Sequence, residues 1–270
     1  MLVATLGDAL FDVIVRLEEP LARGADAAAS THTGPGGQAA NVAAWTAALN
    51  SQARCIASRG DDAAGEIVAG DLKRRGVELV GPVAGRTGVV VSLVGPDGER
   101  TMASDRGVGP ELAPNDLDPA WFACDCLHIS GYALLESPID TAALHAAELA
   151  RASGVQVSVD LSAWTRIRAY GPGAFRERLE QLAPDVIFAN EPEWEIVGAA
   201  YGLARTAVVK RGVRGMVVLG EKQVELPAAG GEVVDATGAG DALAAGFLVG
   251  GPELAVEAAA RCVAKLGAMP

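Results

Sequence analysis

Asp235-Ala236-Thr237-Gly238-Ala239-Gly240-Asp241, running into the apolar stretch Ala242 to Val249, decides how this chain is read. Its small residues let the backbone turn sharply after Val233-Val234, which reads as a strand, and a helix then begins with unpaired amides gathered at one point. Such a point suits developing negative charge. Asp241 stands beside it, so a carboxylate able to accept a proton adjoins amides able to stabilise phosphate oxygens, the combination that phosphoryl transfer uses. Glycine-rich turns that open helices also serve packing alone, and the motif by itself leaves both roles open.

Composition narrows the classes. With 270 residues, 50% of them hydrophobic and 21% charged, the chain can bury a sizeable core as one large α/β domain or as a domain with a small appendage. A net charge of −12 with no lysine-rich or arginine-rich run argues against a nucleic-acid partner. An anionic substrate stays compatible, because a local nest of amides binds phosphate against the general field. Asp8 and Asp12 interrupt the apolar N-terminus, and no uninterrupted apolar stretch reaches membrane length, so a soluble, cytoplasmic chain without a membrane partner is expected. Cys55, Cys124, Cys126 and Cys262 sit in apolar segments without zinc or redox spacing and read as free thiols. His32, His128 and His145 show no metal-ligand spacing, and the tryptophans form no stacking platform.

Short apolar, β-branched runs recur at Val3 to Leu6, Cys55 to Ala57, Leu127 to Ile129, Val155 to Val159, Val186 to Phe188, Val208 to Val209 and Met216 to Leu219. They alternate with helical stretches, which predicts a largely parallel sheet. Ser137, Pro138 and Asp140 read as the start of a helix that Gly154 closes, and Ala63 to Arg75 as another, with Asp61 and Asp62 before it and Gly76 after it. Two segments break the alternation. Phe11 to Thr33 is one; Thr87 to Met102, with its Gly95-Pro96-Asp97-Gly98 turn, reads as a β-hairpin. Paired together, they would form a small sheet covering the cleft at the strand ends.

Motifs now fall in a fixed order: Gly7-Asp8 with Asp12, then Gly36-Gly37-Gln38-Ala39-Ala40-Asn41, then Gly60-Asp61-Asp62-Ala63-Ala64-Gly65. Asn190-Glu191-Pro192-Glu193 follows, then Lys210-Arg211-Gly212 with Gly215, the Asp235 to Asp241 segment, and Gly267-Ala268. In this order and spacing the chain resembles the ribokinase, or phosphofructokinase B, family of carbohydrate kinases over nearly its whole length. The resemblance implies a ribokinase-like three-layer α/β sandwich, 1–270, with a mainly parallel central sheet and a small β-sheet lid from about 11–33 and 87–106. It also implies transfer of the ATP γ-phosphate to a hydroxyl of a sugar or related small molecule, with magnesium.

Carried onto this sequence, the resemblance makes Asp241 the base and the amides of Gly238, Ala239, Gly240 and Asp241 the anion hole. Asn190 and Glu193 take the place of a motif that organises magnesium and phosphates through water, and both offer hard oxygens; helix capping is the competing role. Lys210, Gly212, Gly215 and Thr237 fall along the nucleotide pocket, although a lysine after a strand is commonly just solvated. Asp8, Asp12 and Asn41 are the polar candidates for the phosphate acceptor, with Gly36 and Gly37 permitting close approach. Turn and helix-start hydrogen bonds are the alternatives for Asp12 and Asn41. Arg106 is placed where lid and body meet, either for an anionic or hydroxyl-rich substrate or for a surface ion pair. Asp235 resembles a position that helps form a monovalent-cation site in several relatives, which adds potassium as a candidate.

Departures from the family pattern qualify this. Ala236 stands where threonine or another small residue is usual, Leu10 replaces a polar residue near the sugar, and Val197 to Thr206 is short for the helix before the nucleotide strand. Strict ribose preference is therefore not implied. The rivals are a nucleoside kinase of the same fold and a catalytically silent sugar or nucleotide sensor. A dinucleotide oxidoreductase lacks its Gly-x-Gly-x-x-Gly after the first strand, and no Walker sequence is present. Lid sheets in the family sometimes pair, which makes a homodimer one expected assembly.

Overall fold

A computed structural model of the chain describes residues 1–97, 100–199 and 202–270. β1 (Leu2–Leu6) leads into β2 (Leu10–Leu17) and β3 (Ala29–Gly36), after which α1 (Gln38–Ala48) brings the chain to β4 (Gln52–Ile56). α2 (Ala63–Arg74) links β4 to β5 (Val77–Val80), and β6 (Thr87–Val94) and β7 (Arg100–Gly107) follow. Strands and helices then alternate: β8 (Cys126–Ser130), α3 (Ile139–Ala152), β9 (Gln156–Asp160), α4 (Trp164–Tyr170) and α5 (Pro172–Leu182). β10 (Val186–Asn190), α6 (Glu191–Ile196), β11 (Thr206–Lys210), β12 (Met216–Leu219) and β13 (Val224–Leu226) complete the strands, and α7 (Ala239–Gly250) and α8 (Pro252–Val263) the helices.

The larger sheet has nine strands in the order β13-β12-β11-β10-β9-β8-β1-β4-β5. From β11 to β5 every pairing is parallel, and β12 and β13 add an antiparallel edge. Parallel strands are buried on both faces, which is why their sequences are near-continuous apolar runs. Successive side chains serve opposite layers. Ala4 and Leu6 of β1 pack with α3, α5 and α6, whereas Val3 packs with α1, α7 and α8; α2 joins that second layer through Val68 and Leu72. The seven short β-branched runs from Val3–Leu6 to Met216–Leu219 all mark strands of this sheet, which has helices on both sides. β5 and β13 were not foreseen: one is split by Glu78 and the other is only three residues long.

The smaller sheet runs β3-β2-β6-β7, with β2 and β6 parallel and the outer pairs antiparallel. Both segments that broke the alternation enter it. Its β6–β7 turn was expected over Gly95 to Gly98, of which Gly98 lies outside the described residues. β2 and β3 are inserted between the end of β1 and the start of α1, and β6 and β7 between β5 and β8, so the sheet they form stands over the carboxyl edge of the larger sheet. That edge opens between β1 and β8, where strand order reverses, the place at which doubly wound sheets form a crevice.

Helix ends follow local chemistry. Asp62 caps α2, its Oδ1 accepting from the Gly65 amide at 2.9 Å, and Lys73 and Arg74 occupy the last turn. The α3 expectation needs correcting: Pro138, not Ser137, is the N-cap residue and supplies no side-chain bond. Asp140 instead accepts from the Thr141 amide and from Arg178 of α5, each at 2.7 Å. Val233 and Val234 are not a strand but an exposed passage that bends at Val234, held where the Val234 amide donates to the Val263 carbonyl at 2.7 Å. No helix among the described residues is long and apolar enough to cross a membrane.

Candidate active site

The glycine-rich turn is built around Asp235. Its Oδ1 accepts from the amide and hydroxyl of Thr237 at 2.8 and 2.5 Å, and its Oδ2 from the Gly267 amide at 3.0 Å. Burial acts to raise this carboxyl, but those hydrogen bonds outweigh it and hold Asp235 below the ordinary carboxylate range. Gly238 then turns with φ of +77°, and a Cβ there would lie 2.5 Å from that of Ala268, so only glycine fits. α7 starts at the next residue and presents its first-turn amides. The Ala239 amide turns back toward the Ala236 carbonyl at 3.3 Å, which leaves Gly240 and Asp241 as the main donors of the nest.

Asp241 opens into a cleft of about 850 Å³ whose wall also includes Asp8, Asp12, Gly37, Asn41 and Arg106. Its Oδ2 accepts from Asn41 Nδ2 at 2.7 Å. Burial pushes the Asp241 carboxyl up to about 7; the Asp160 charge adds to the push, while the Asn41 amide, Lys210 and Gln38 oppose it. The result is a carboxyl that exchanges its proton near neutrality. Asn41 Oδ1 is buried and has no hydrogen-bond partner among the described residues, so one polar atom beside Asp241 is left to meet something else.

Lys210, at the end of β11, is not solvated: its ammonium lies 2.6 Å from Asp160 Oδ2 and abuts the nest, 3.2 Å from where a Cβ on Gly240 would be. Burial disfavours that charge, yet Asp160 and Glu193 more than restore it and keep the lysine protonated. Asn190 and Glu193 form a reciprocal cap on α6. The Glu193 amide donates to Asn190 Oδ1 at 2.9 Å, and the Asn190 amide and Nδ2 donate to Glu193 Oε2 and Oε1, each at 2.8 Å. Glu193 is buried, which raises its carboxyl against the pull of Lys210. Both carboxylate oxygens are thus engaged, and no cluster of three or more His, Cys, Asp or Glu suited to a metal occurs among the described residues. This donor set fits magnesium only through water. Asn190 pairs with Lys210 in register, and Gly212 and Gly215 make the β11–β12 turn beside them.

Where Asp8 and Asp12 line the cleft, Gly37, with φ of +92°, passes so close to the Asp8 carbonyl that a Cβ would sit 2.4 Å from its oxygen. Gly36 lies against Asp12 in the same way, with a Cβ there 2.1 Å from the Asp12 carboxyl carbon. Asp12 is pushed up to about 6 by burial, opposed by Arg100. Asp8 is gripped by Arg106, Nε to Oδ2 and Nη2 to Oδ1 at 3.0 Å each, and burial raises the Asp8 carboxyl against that grip. Arg106 is therefore no surface arginine. Its Nη1 reaches Glu136 Oε1 at 3.3 Å, and the two acids outweigh burial in keeping it charged.

Asp160, Gln38 and Glu136 are site residues that sequence reasoning missed. Asp160 ends β9 at the sheet's carboxyl edge, a position that could have flagged it. Gln38 lies within the quoted Gly36 to Asn41 motif, and its Oε1 accepts from Ser130 and Ser162 at 2.5 and 2.6 Å. Leu10 is buried in the cleft wall, as its departure from a polar residue implies.

Comparison with known proteins agrees with this geometry. The profile of the pfkB family carbohydrate kinases matches residues 1–269. The ATP-dependent ribose-1-phosphate kinase of Halopiger xanaduensis is 34% identical, over 96% of this chain and 90% of that protein. An Escherichia coli fructokinase is 32% identical over 80% of this chain and 76% of its own length. The adenosine kinase of Sinorhizobium meliloti superposes with a TM-score of 0.86 at 26% identity, covering 99% of this chain and 95% of that one. With the profile running end to end over a two-sheet α/β fold that carries the glycine-rich nest, the chain belongs to the pfkB family of carbohydrate kinases.

Proposed function

We propose that the chain transfers the γ-phosphoryl group of ATP to a hydroxyl of a sugar or sugar-derived small molecule, with Asp241 as general base. One observation carries this reading: a buried carboxyl pushed up to about 7 lies in a cleft at the very turn where α7 offers its amides and Lys210 its charge. The name of the Halopiger relative supports ATP as donor.

In the reaction the acceptor oxygen forms a bond to the γ-phosphorus as the bond from that phosphorus to the β-bridging oxygen breaks; ADP leaves with the electron pair, and the acceptor proton passes to Asp241. Asn41 aims the carboxylate. The amides of Gly240 and Asp241, with the Lys210 ammonium beside them, meet the charge on the transferring group. Magnesium, held through water near Asn190 and Glu193, would neutralise phosphate charge. The small sheet above the cleft excludes water that would otherwise take the phosphoryl group.

Asp241→Asn keeps the Asn41-facing shape but cannot take the proton. Its turnover should fall by about 10²–10⁴-fold with the melting transition retained. The assay is ATP consumption against sugars, sugar acids, sugar phosphates and nucleosides, with product mass as the check. Near-normal turnover by this variant on the preferred acceptor would remove Asp241 from the reaction.

A further inference from the structure

Two guanidinium groups converge on one replaceable carboxylate inside the cleft. Arg106 Nη1 and Arg166 Nη2 both approach the same oxygen, Oε1 of Glu136, at 3.3 and 3.4 Å. These distances are long for charge-assisted hydrogen bonds, which run near 2.7–2.9 Å. Arg106 is preset by its two-pronged hold on Asp8 and is only 12% exposed, whereas Arg166 and Glu136 are 58% and 39% exposed. All four side chains belong to the site, with Arg106, Arg166, Glu136 and Asp8 lining the cavity that also holds Asp241.

From this we infer that the acceptor carries an anionic substituent, a phosphate or a carboxylate, which Arg106 and Arg166 receive as Glu136 swings aside. The inference rests on the kinase reading and gives it a substrate class. The acids next to Arg106 point the same way. A neutral sugar is held by acceptor oxygens, but each Asp8 oxygen already accepts from Arg106, which reduces what Asp8 can offer to hydroxyls. Asp105, another acid of the cleft, is paired with Arg86 at 2.7 Å. The substituent thus meets the Nη1 edge of Arg106, whose Nε–Nη2 fork is held by Asp8, with a second arginine beside it, and two converging guanidinium groups suit phosphate and carboxylate. A cleft of about 850 Å³ accommodates a sugar bearing such a group together with the end of the nucleotide.

Matched acceptors test the inference: α-D-ribose 1-phosphate against D-ribose, and D-gluconate against D-glucose. Binding is read by calorimetry, independently of turnover, and transfer by product mass. The wild-type protein should bind at least one anionic member tenfold or more tightly than its neutral partner. Arg166→Ala should raise KM for that acceptor at least tenfold with a smaller change in kcat, and Arg166→Lys should restore part of it. Glu136→Gln should lower the same KM severalfold, because the competing carboxylate is gone; a Glu136 that merely braces the wall predicts a rise with both members of the pair. Equal or weaker binding of the anionic members, or an Arg166→Ala protein whose binding ratio stays within twofold of wild type, overturns the inference. Transfer to neutral sugars alone overturns it and keeps the kinase. Anion-selective binding with no transfer to any acceptor keeps the arginine site and overturns the kinase.

Discussion

Asp241 carries opposing influences that can be separated one residue at a time. Its carboxyl sits near 7, so kcat/KM should climb with pH and level off above that value as the base loses its proton. Asn41→Ala deletes a hydrogen bond that favours the charged form, and the acid limb should move to higher pH. Asp160→Asn deletes a like charge and leaves Lys210 unopposed, and the limb should move lower. pH–rate profiles of the three proteins check both signs; shifts in one common direction would sink this account. Which residues were legible in advance follows from how local their signals are. Asp241, Asn41 and Gly37 sit inside short glycine-rich motifs that announce a turn into a helix, and all three line the cleft. Asp160 and Glu136 carry no such neighbours, because their roles arise from partners 50 and 30 positions away in the chain. For Arg106 the sequence left a substrate contact and a surface ion pair open, and its burial against Asp8, a tertiary fact, removes the surface reading.

Among the elements, α2 does more than fill a layer. The Asp62 carboxylate that caps it also accepts from the Thr87 hydroxyl at 2.6 Å and the Thr87 amide at 2.9 Å, where β6 enters the small sheet. These hydrogen bonds hold the Asp62 carboxyl below its ordinary range, the one from the Thr87 hydroxyl foremost. Asp62→Ala should therefore cost about 1 kcal/mol of stability from the lost cap and raise acceptor KM by loosening β6. Urea unfolding and acceptor titration read the two effects separately, and a stability loss without any KM change would limit Asp62 to its own helix. The main strands were visible as apolar runs because both of their faces are buried. Val233 and Val234 misled for the reverse reason: both are exposed and the chain bends at Val234, so β-branched residues occur there without a sheet face to bury. The α3 start was displaced by a single residue, since proline fills the cap position that a serine could have served.

For the molecule as a whole, a net charge of −12 surrounds a site that must admit a triphosphate. Repulsion over that distance is screened by salt, whereas the amides and Lys210 act at contact. KM for ATP should thus fall as ionic strength rises from low values toward physiological ones, in steady-state assays at constant free magnesium. A rise would mean that local positive charge governs approach. The contact between Asn41 and Asp241 joins residues 200 positions apart, and Gly238 is seated on Ala268 near the C-terminal end of the sequence. A ribosome-bound or proteolytically nicked chain that has not brought these distant stretches together has no aligned base. Its chemical competence therefore arrives only with completion of the fold, so immature copies in a cell would sit idle and not drain nucleotide.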